Sequence, residues 1–449
     1  MTLADSREPR QARRFLIPAV ICIFVLVTLV LVAPIMTADG PAGGGGNTAR
    51  QLAYALLFLS TIWIVGGFKN PRKLLAPPLS MILAVLWCWL SVTWAIEPSI
   101  SMRRLILTTL VFWTIYLLVE ECGYARTIKA IMICLAALLI VNFLAVAVSP
   151  HTAIHQPGDG MDDGLIGDWK GVLPQKNFTG AVCALTILIF GFGRQKLNLF
   201  LRIGVIVASA VFLFKTESKT SMGMLLLAAA VGGVYLVFNP RLRFIMIPVV
   251  AAAGVAGMIY SITAWDEMLG PFARRDGLTG RVQIWPYLIS YAQDHPFGSG
   301  YGSFWNIGET SPIFAYSKNW VAGLSAGHNG YLDVLVQVGW VGLVLVVLAT
   351  ILIPLWKLLS NAQVSRPTGA LLIALLTFCM GHNITETSLF ERDVIVGVFL
   401  ILAAALTNVV TRKPAAPRSG SSGAGRRSRT AKSALPDGER LQAPGTGHG

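Results

Sequence analysis

The sequence has 449 residues, of which 54% are hydrophobic and only 13% are charged. Soluble domains usually carry about 25% charged residues, so this composition cannot supply the polar surface that a soluble protein of this length needs. The formal net charge is +14. Beside a membrane, such an excess is typical of basic cytoplasmic segments that face anionic lipid, and nucleic acid is not an expected partner. The sequence therefore predicts a polytopic membrane protein.

Twelve apolar segments are long enough, or nearly so, to cross a bilayer as helices, which takes about 20 residues. The first exceeds the core of a signal peptide and is interpreted as a retained span. The predicted spans are residues 15–36, 51–67, 74–94, 105–119, 127–148, 178–193, 197–214, 221–238, 244–263, 331–355, 369–386 and 394–410. Three of them are short, so the count could change by one or two.

Both termini are predicted to lie in the cytoplasm, on either side of a transmembrane domain that covers residues 15–410. The short loops rich in Lys and Arg then all fall inside, as the positive-inside rule requires. These loops are residues 68–73, 120–129, 194–196, 239–243 and 357–367. The N-terminal tail is residues 1–14. The basic C-terminal tail, residues 411–449, is rich in Pro, Gly and Ser and is predicted to be disordered.

Polar residues concentrate in the predicted extracytoplasmic loops. Two of these loops are long, residues 150–177 and 264–330, and the second separates the ninth and tenth predicted helices. Its many aromatic residues are typical of an interfacial belt, with sugar stacking as the sharper alternative. No Walker A sequence is present, which excludes a nucleotide-binding module of that type. The cysteines and histidines lack metal-ligand spacing, so no metal is expected.

Lys and Arg also occur in these outer loops, where the positive-inside rule disfavours them. Arg103 lies in a short loop at a helix end, and Lys176 and Lys219 lie at helix starts, where backbone N–H groups favour anions. Such residues can be tolerated at the membrane boundary, or they can form an anion site at the outer surface. A lipid-linked diphosphate is the anion expected there, and Arg suits bidentate phosphate contacts.

His328 closes the longest outer loop and opens the tenth predicted span. Asn329 and Asp333 follow it four residues apart, so on a helix they share a face. Asp333 lies within an apolar segment, where a charge is costly. This group can be a hydrogen-bonded helix start or a functional cluster in which Asp333 steadies the imidazole. His382 and Glu386 form a second polar cluster at an outer helix end, for which structural and functional roles are equally open.

The polar motifs occur in the order found in one family of bacterial membrane glycosyltransferases. The motifs are Trp169-Lys170-Gly171 to Lys176-Asn177, Ser218-Lys219-Thr220-Ser221, Thr279-Gly280-Arg281 with Ile284-Trp285, Pro296 to Trp305, His328-Asn329-Gly330-Tyr331-Leu332, and Gly339 to Gly342. The series resembles the O-antigen ligase/polymerase superfamily. Within that superfamily it is most similar to the ExoQ-type exopolysaccharide polymerases of rhizobia.

The resemblance implies an all-helical, GT-C-like membrane fold of about 12 transmembrane helices in the bacterial inner membrane. Members of the family transfer glycans from a polyprenyl diphosphate carrier at the periplasmic face, without a metal or another cofactor. His328 matches the catalytic histidine that activates the acceptor hydroxyl, and Arg281 matches a residue that holds the diphosphate. The predicted substrate-binding residues are Arg281, Lys176, Lys219, Arg103, Lys170, Asn329 and Asp333.

The predicted function is polymerisation of polyprenyl-diphosphate-linked oligosaccharide repeat units into exopolysaccharide. Expected partners are this lipid-linked substrate, membrane lipid, and proteins of polysaccharide export and chain-length control. One alternative is a ligase that moves a lipid-linked glycan to lipid A core or another acceptor. Another is a transporter or flippase, which should place polar residues midway along several spans. Apart from Lys129, which lies where the inner loop 120–129 overlaps a span, Arg202 is the one Lys or Arg within a predicted span, which argues against transport.

The topology is testable with reporter fusions along the chain. Fusions at Asp162 and Ser311 should report an extracytoplasmic position, and fusions at Arg241 and at both termini should report a cytoplasmic one, because of the distribution of Lys and Arg among the short loops. Paired alkaline phosphatase and fluorescent-protein fusions measure this directly. A cytoplasmic report from Ser311 would contradict the predicted topology.

Overall fold

The computed structural model describes residues 10–38, 48–157, 165–193, 195–245 and 281–412, with the side chains of residues 10–15 and 33–38 excepted. Within these ranges the chain forms helices and turns, and its one β-type contact is an isolated bridge between Ile154 and Trp169. The apolar composition accounts for this, because backbone groups surrounded by hydrocarbon must be hydrogen-bonded within their own segment.

The helices follow one another along the chain and are numbered here in order. They are α1 (Arg10–Ala38), α2 (Thr48–Val65), α3 (Leu79–Ser91), α4 (Pro98–Val148), α5 (Lys176–Phe192), α6 (Leu199–Lys215), α7 (Lys219–Val237), α8 (Trp285–Asp294), α9 (Gly330–Val347), α10 (Ile353–Ser360), α11 (Arg366–His382) and α12 (Ile395–Thr411). Single turns of α-helix occur at Pro150–Ala153 and Ile313–Tyr316, and a π-helical turn, Leu348–Leu352, joins α9 to α10. Turns of 3-10 helix occur at Pro71–Leu75, Val92–Trp94, Pro240–Ile245, Gly308–Thr310 and Trp320–Gly323.

Each predicted span that the structure describes contains a helix, and α8 is an additional helix within the predicted outer loop 264–330. The ninth predicted span, residues 244–263, lies outside the described residues except for its first two. By length and composition alone, four helical stretches could cross a membrane, and shorter apolar helices accompany them. The four are Thr48–Val65, Pro98–Val148, Lys219–Val237 and Gly330–Ser360. The total of about twelve crossings stays a prediction.

One predicted loop proves to be helical. Residues 120–129 were expected to form a short inner loop, but α4 continues through them, with non-helical backbone only at Gly123 (φ 71°, ψ 172°). A straight helix of its 51 residues would be about 77 Å long. Near the start of α4, however, Ser101 Oγ donates to Tyr301 O, and near its end Asn142 Oδ1 accepts from Val172 N–H. Both contacts lie among the loops of one side, so the two arms of α4 reverse direction at Gly123.

The loops predicted to be outer contact one another in one layer, called the site layer here. Its segments are residues 95–104, 165–177, 215–220, 281–329 and 383–394, together with Arg50 at the start of α2. Ile96 N–H donates to Ser299 O at 3.1 Å, and Trp169 N–H donates to Lys215 O at 3.0 Å. Arg50 pairs with Asp393 at 3.4 Å. The predicted outer loops thus assemble together.

Segments predicted to be inner meet in a second layer at the other helix ends. Arg243 Nη1 donates to Val364 O at 3.1 Å, Lys357 Nζ donates to Asn408 Oδ1 at 2.8 Å, and Arg412 pairs with Glu120. Because α11 and α12 connect the two layers in opposite directions, the site layer and this layer lie at opposite ends of the helical body.

The most deeply buried helices, α11 and α12, hold the loop between them at the centre of the site layer. Every residue from Ile395 to Thr407 on α12 is buried, and α11 packs extensively on α7. By contrast, α6 exposes Leu199, Phe200 and Phe214 by 63%, 83% and 71%. Large exposed apolar side chains along one helix are typical of a surface that faces lipid.

The described part of the long loop before α9 is a folded cap with its own hydrophobic core. Trp285, Tyr291, Phe304 and Trp305 are all at least 93% buried and pack together with the start of α9. These four aromatic residues are therefore core residues, and neither an interfacial belt nor sugar stacking explains them. Trp320 is the contrast, with 52% of its surface exposed.

Arg104 fastens this cap to the start of α4. Its guanidinium donates to Gly302 O at 2.5 Å, Trp305 O at 2.9 Å and Asn306 O at 3.1 Å. Arg104→Ala should lower the free energy of unfolding by about 2–4 kcal/mol, because three carbonyl groups lose a charged donor. Thermal unfolding of the detergent-purified protein measures this. Arg241→Ala, which changes an exposed arginine in the other layer, is the matched control. Equal melting temperatures for the two variants would contradict this role.

Candidate active site

One carboxylate joins three segments of the site layer. Glu386 lies in the loop between α11 and α12, and its Oε1 accepts from Arg281 Nη2 at 2.6 Å and from Asn177 Nδ2 at 2.8 Å. Its Oε2 lies 3.7 Å from His328 Nδ1. Arg281 and His328 were both predicted as site residues from separate motifs. The structure brings them together through a residue that had no assigned role.

The Glu386 carboxylate is charged and sheltered. Burial alone would raise the pKa of Glu386, but the contact with His328 and the positive charge of Arg281 outweigh burial and hold that pKa below its ordinary value. The side chains of Arg281 and Glu386 are 11% and 13% exposed, whereas that of His328 is 32% exposed. The imidazole is thus the most accessible member of the group.

The chain around His328 is held by its neighbours in the sequence. His328 itself has φ +50°, a left-handed conformation that few residues other than glycine adopt. Asn329 caps α9, because its Oδ1 accepts from the N–H groups of Tyr331 and Leu332 at 3.0 and 3.1 Å. Asn329 therefore stabilises the helix start directly after the histidine, and its side-chain oxygen is occupied by these two hydrogen bonds.

The glycine of the His-Asn-Gly motif docks the histidine segment onto the Glu386 loop. Gly330 N–H donates to Asn383 O at 2.8 Å and to Glu386 O at 3.1 Å. A Cβ atom at position 330 would lie 2.2 Å from Asn383 Oδ1, closer than any real contact. Glycine is required here because the buried Asn383 side chain occupies the space that a Cβ atom would need. This docking sets the distance between His328 and Glu386.

Asp333 supports the loop and not the imidazole. It is 99% buried, and it accepts from Trp305 Nε1 at 2.7 Å, from Gly327 N–H at 3.0 Å and from the hydroxyl of Thr387. No described hydrogen bond joins Asp333 to the ring of His328, since Asp333 holds the backbone residue before the histidine, and its interaction with the ring is electrostatic. The carboxylate nearest to the ring is that of Glu386.

Lys176 and Asn177 bring the start of α5 to the same place. Lys176 Nζ pairs with Asp168 Oδ2 at 2.5 Å, so its charge is partly neutralised. Asn177 joins Glu386 to a chain of hydroxyl groups, because its Oδ1 accepts from Ser218 Oγ at 3.2 Å. Through Asn177, the motif at α5 lies one hydrogen bond from Glu386.

The other predicted basic residues are less closely connected to Glu386. Lys219 is the first residue of α7 and is exposed, next to Ser218. Lys170 lies half-buried in the loop before α5, where its carbonyl accepts from Thr179 Oγ1. Arg103 is half-buried near the start of α4, beside the structural Arg104. These three residues line the site layer, and their contacts with substrate stay a prediction.

The part of the chain that the structure describes contains no group of three or more His, Cys, Asp or Glu side chains arranged to hold a metal ion. The metal-independent chemistry expected from the sequence stays a prediction.

A comparison with known families finds a match that includes part of this site. Residues 203–347 match the family described as O-antigen ligase. The matched range contains Lys219, Arg281 and His328, whereas Lys176 and Glu386 lie outside it. The resemblance to the O-antigen ligase/polymerase superfamily is thereby confirmed. The described residues, as reported above, form a fold of apolar helices.

A curated relative extends the similarity over most of the chain. The exopolysaccharide production protein ExoQ of Rhizobium meliloti (strain 1021) is 26% identical over 325 residues, which cover 68% of this chain and 71% of that protein. The chain is therefore similar to a protein of exopolysaccharide production, as its motifs predicted.

The role of Asp333 is testable by substitution. Asp333→Ala should lower the free energy of unfolding by roughly 2–4 kcal/mol, because three donors lose their acceptor inside the protein. The pH dependence of the remaining activity should keep the wild-type shape, since Asp333 bonds the loop and not the imidazole. Thermal unfolding and a pH–rate profile test the two parts. A displaced pH profile would show that Asp333 acts on His328 after all.

Proposed function

We propose that the protein is a membrane glycosyltransferase that joins polyprenyl-diphosphate-linked oligosaccharide repeat units into exopolysaccharide. The observation that carries this proposal is the meeting of Arg281 and His328 at Glu386 in one layer of polar loops. A cation for a diphosphate and an accessible base for a hydroxyl are the two groups that glycosyl transfer from a lipid diphosphate needs. The similarity to ExoQ supports the exopolysaccharide as product.

The proposed reaction is a direct displacement at the anomeric carbon of the donor. The acceptor hydroxyl gives its proton to His328 Nε2, since Nδ1 faces Glu386. The acceptor oxygen then bonds to the anomeric carbon, and the bond to the diphosphate oxygen breaks with its electron pair. A diphosphate is a good leaving group and needs no acid. The requirements are a base near neutral pH and fixed positive charge at the leaving group.

Arg281 is proposed to bind the leaving diphosphate. Its planar guanidinium can donate two N–H groups to phosphate oxygens. Lys176, Lys170, Lys219 and Arg103 are proposed to add positive charge along the path of the diphosphate or of the glycan. The proposed reaction needs no metal, because the positive charges of arginine and lysine stabilise the leaving diphosphate, as a divalent cation would.

The proposed site faces the periplasm from a GT-C-like domain in the bacterial inner membrane, with both termini in the cytoplasm. The distribution of Lys and Arg among the loops supports this orientation. Proteins of polysaccharide export and chain-length control are proposed partners, because a polymer made outside the membrane has to be carried onward.

A ligase is the second candidate, and the family match favours it specifically. Residues 203–347 match a family described by ligation of O-antigen. A ligase would use the same donor and the same base, and only the acceptor would differ. Supplying purified protein with either a lipid-linked repeat unit or lipid A core as acceptor distinguishes the two functions.

The roles of Arg281 and His328 are testable in a purified system with a lipid diphosphate donor and a matched acceptor. His328→Ala should reduce turnover roughly 10²–10⁴-fold with little change in donor affinity, since general-base catalysis has that magnitude. Arg281→Ala should weaken donor binding as well, and Arg281→Lys should rescue it poorly, because a point charge cannot replace a bidentate fork.

Two substitutions serve as controls for these variants. His151→Ala changes an exposed histidine that follows α4 and lies outside the candidate site. Arg241→Ala changes an exposed arginine of the other layer. Both should keep wild-type turnover. Near-normal turnover in His328→Ala would remove the histidine from the reaction, and full donor affinity in Arg281→Ala would remove the arginine from the diphosphate site.

A further inference from the structure

The guanidinium proposed to bind diphosphate already holds an anion of the protein itself. Arg281 Nη2 lies 2.6 Å from Glu386 Oε1, and both side chains are almost completely buried. Carboxylate and phosphate oxygens compete for the same N–H groups of an arginine. A bidentate diphosphate contact that includes the N–H group now donated to Glu386 has to displace the carboxylate from it.

Glu386 has further anchors that do not depend on Arg281. Asn177 Nδ2 donates to the same carboxylate oxygen at 2.8 Å, and the backbone of Glu386 is held through Gly330. The carboxylate would stay in the site with a neutral donor as its remaining close partner. A buried carboxylate without a charged partner is costly, so the nearest group that can carry positive charge becomes important.

That nearest group is His328. Its Nδ1 lies 3.7 Å from Glu386 Oε2, which is longer than a normal hydrogen bond but within reach of a small ring movement. The other titratable groups facing this pair are His382 and Asp333. His382 is 96% buried, with Nε2 3.5 Å from Ser221 Oγ. Asp333 is held by its own three donors. Of the two histidines, His328 is therefore the accessible partner of Glu386.

We propose that Glu386 is an exchangeable carboxylate that couples donor binding to the base. Without donor, Glu386 holds Arg281. With donor, Arg281 turns to the diphosphate and Glu386 pairs with His328, where it stabilises the imidazolium that forms when Nε2 takes the acceptor proton. Glu386 touches neither substrate and is a positioning residue. The inference rests on the proposed function, because it requires that a diphosphate binds Arg281.

Glu386→Gln separates binding from turnover, because the amide keeps the shape of the side chain and removes its charge. We expect polyprenyl diphosphate without a sugar to bind about three- to tenfold more tightly, since Arg281 no longer has a charged competitor. Turnover should fall roughly 10–100-fold, because the imidazolium loses its counter-charge. KM for the donor and kcat would thus both decrease. A residue that only supports the fold would weaken binding and turnover together.

The matched control is Glu391→Gln, which removes a carboxylate five residues further along the same loop. Glu391 has no described hydrogen bond to Arg281 or His328, so binding and turnover should stay near wild type. Glu386→Asp is the second variant, since it retains the charge with a shorter reach. Its diphosphate affinity should lie between those of the wild-type protein and Glu386→Gln, with reduced turnover, and this keeps the test decisive if the glutamine variant does not fold.

The possible outcomes separate this inference from the proposed function. Weaker or unchanged diphosphate binding in both Glu386 variants would overturn the exchange, and so would wild-type turnover. If the wild-type protein itself binds no polyprenyl diphosphate, and Arg281→Ala changes nothing, then the proposed function fails instead.

Discussion

The docking of the α11–α12 loop onto the start of α9 is the contact on which the rest of the site depends. Two backbone hydrogen bonds from Gly330 N–H, to Asn383 O and Glu386 O, join segments more than fifty positions apart in the sequence. The hydroxyl of Thr387 adds a bond to Asp333 a little further along both segments. These bonds fix His328 and Glu386 relative to each other, as the proposed catalytic geometry requires.

Several cations of the site layer, which is predicted to lie on the side where the positive-inside rule disfavours them, are paired with carboxylates. Lys176 is paired with Asp168, Arg281 with Glu386, and Asp393 lies between Arg392 and Arg50 at 3.2 and 3.4 Å. Most of these charges are thus compensated within the protein at rest. In the proposed function, the diphosphate competes with these carboxylates, and its affinity reflects a difference between two ion pairs.

The sequence predicts the helices and the separate motifs, but it does not predict which side chains of distant motifs contact one another. Apolar runs predict helices because backbone groups in hydrocarbon have few alternatives, and His328 stood out as a histidine at a helix start. Glu386 was visible only as a polar residue at a helix end. Its partners, Arg281 and His328, lie 105 and 58 positions away, and such pairing depends on loop paths that no local periodicity encodes. The reversal within α4 was predicted, but as a ten-residue loop, whereas non-helical backbone at Gly123 alone suffices for it.

The loop between α11 and α12 carries two charge clusters on one short stretch of chain. Glu386 serves the candidate active site, and Asp393, seven residues later, holds Arg50 at the start of α2. Both ends of this loop enter the most deeply buried helices of the protein. A single inserted or deleted residue between Glu386 and Asp393 would therefore misplace one cluster or the other. Homologous chains should vary freely in the side chains of this loop that face solvent, while its length stays constant.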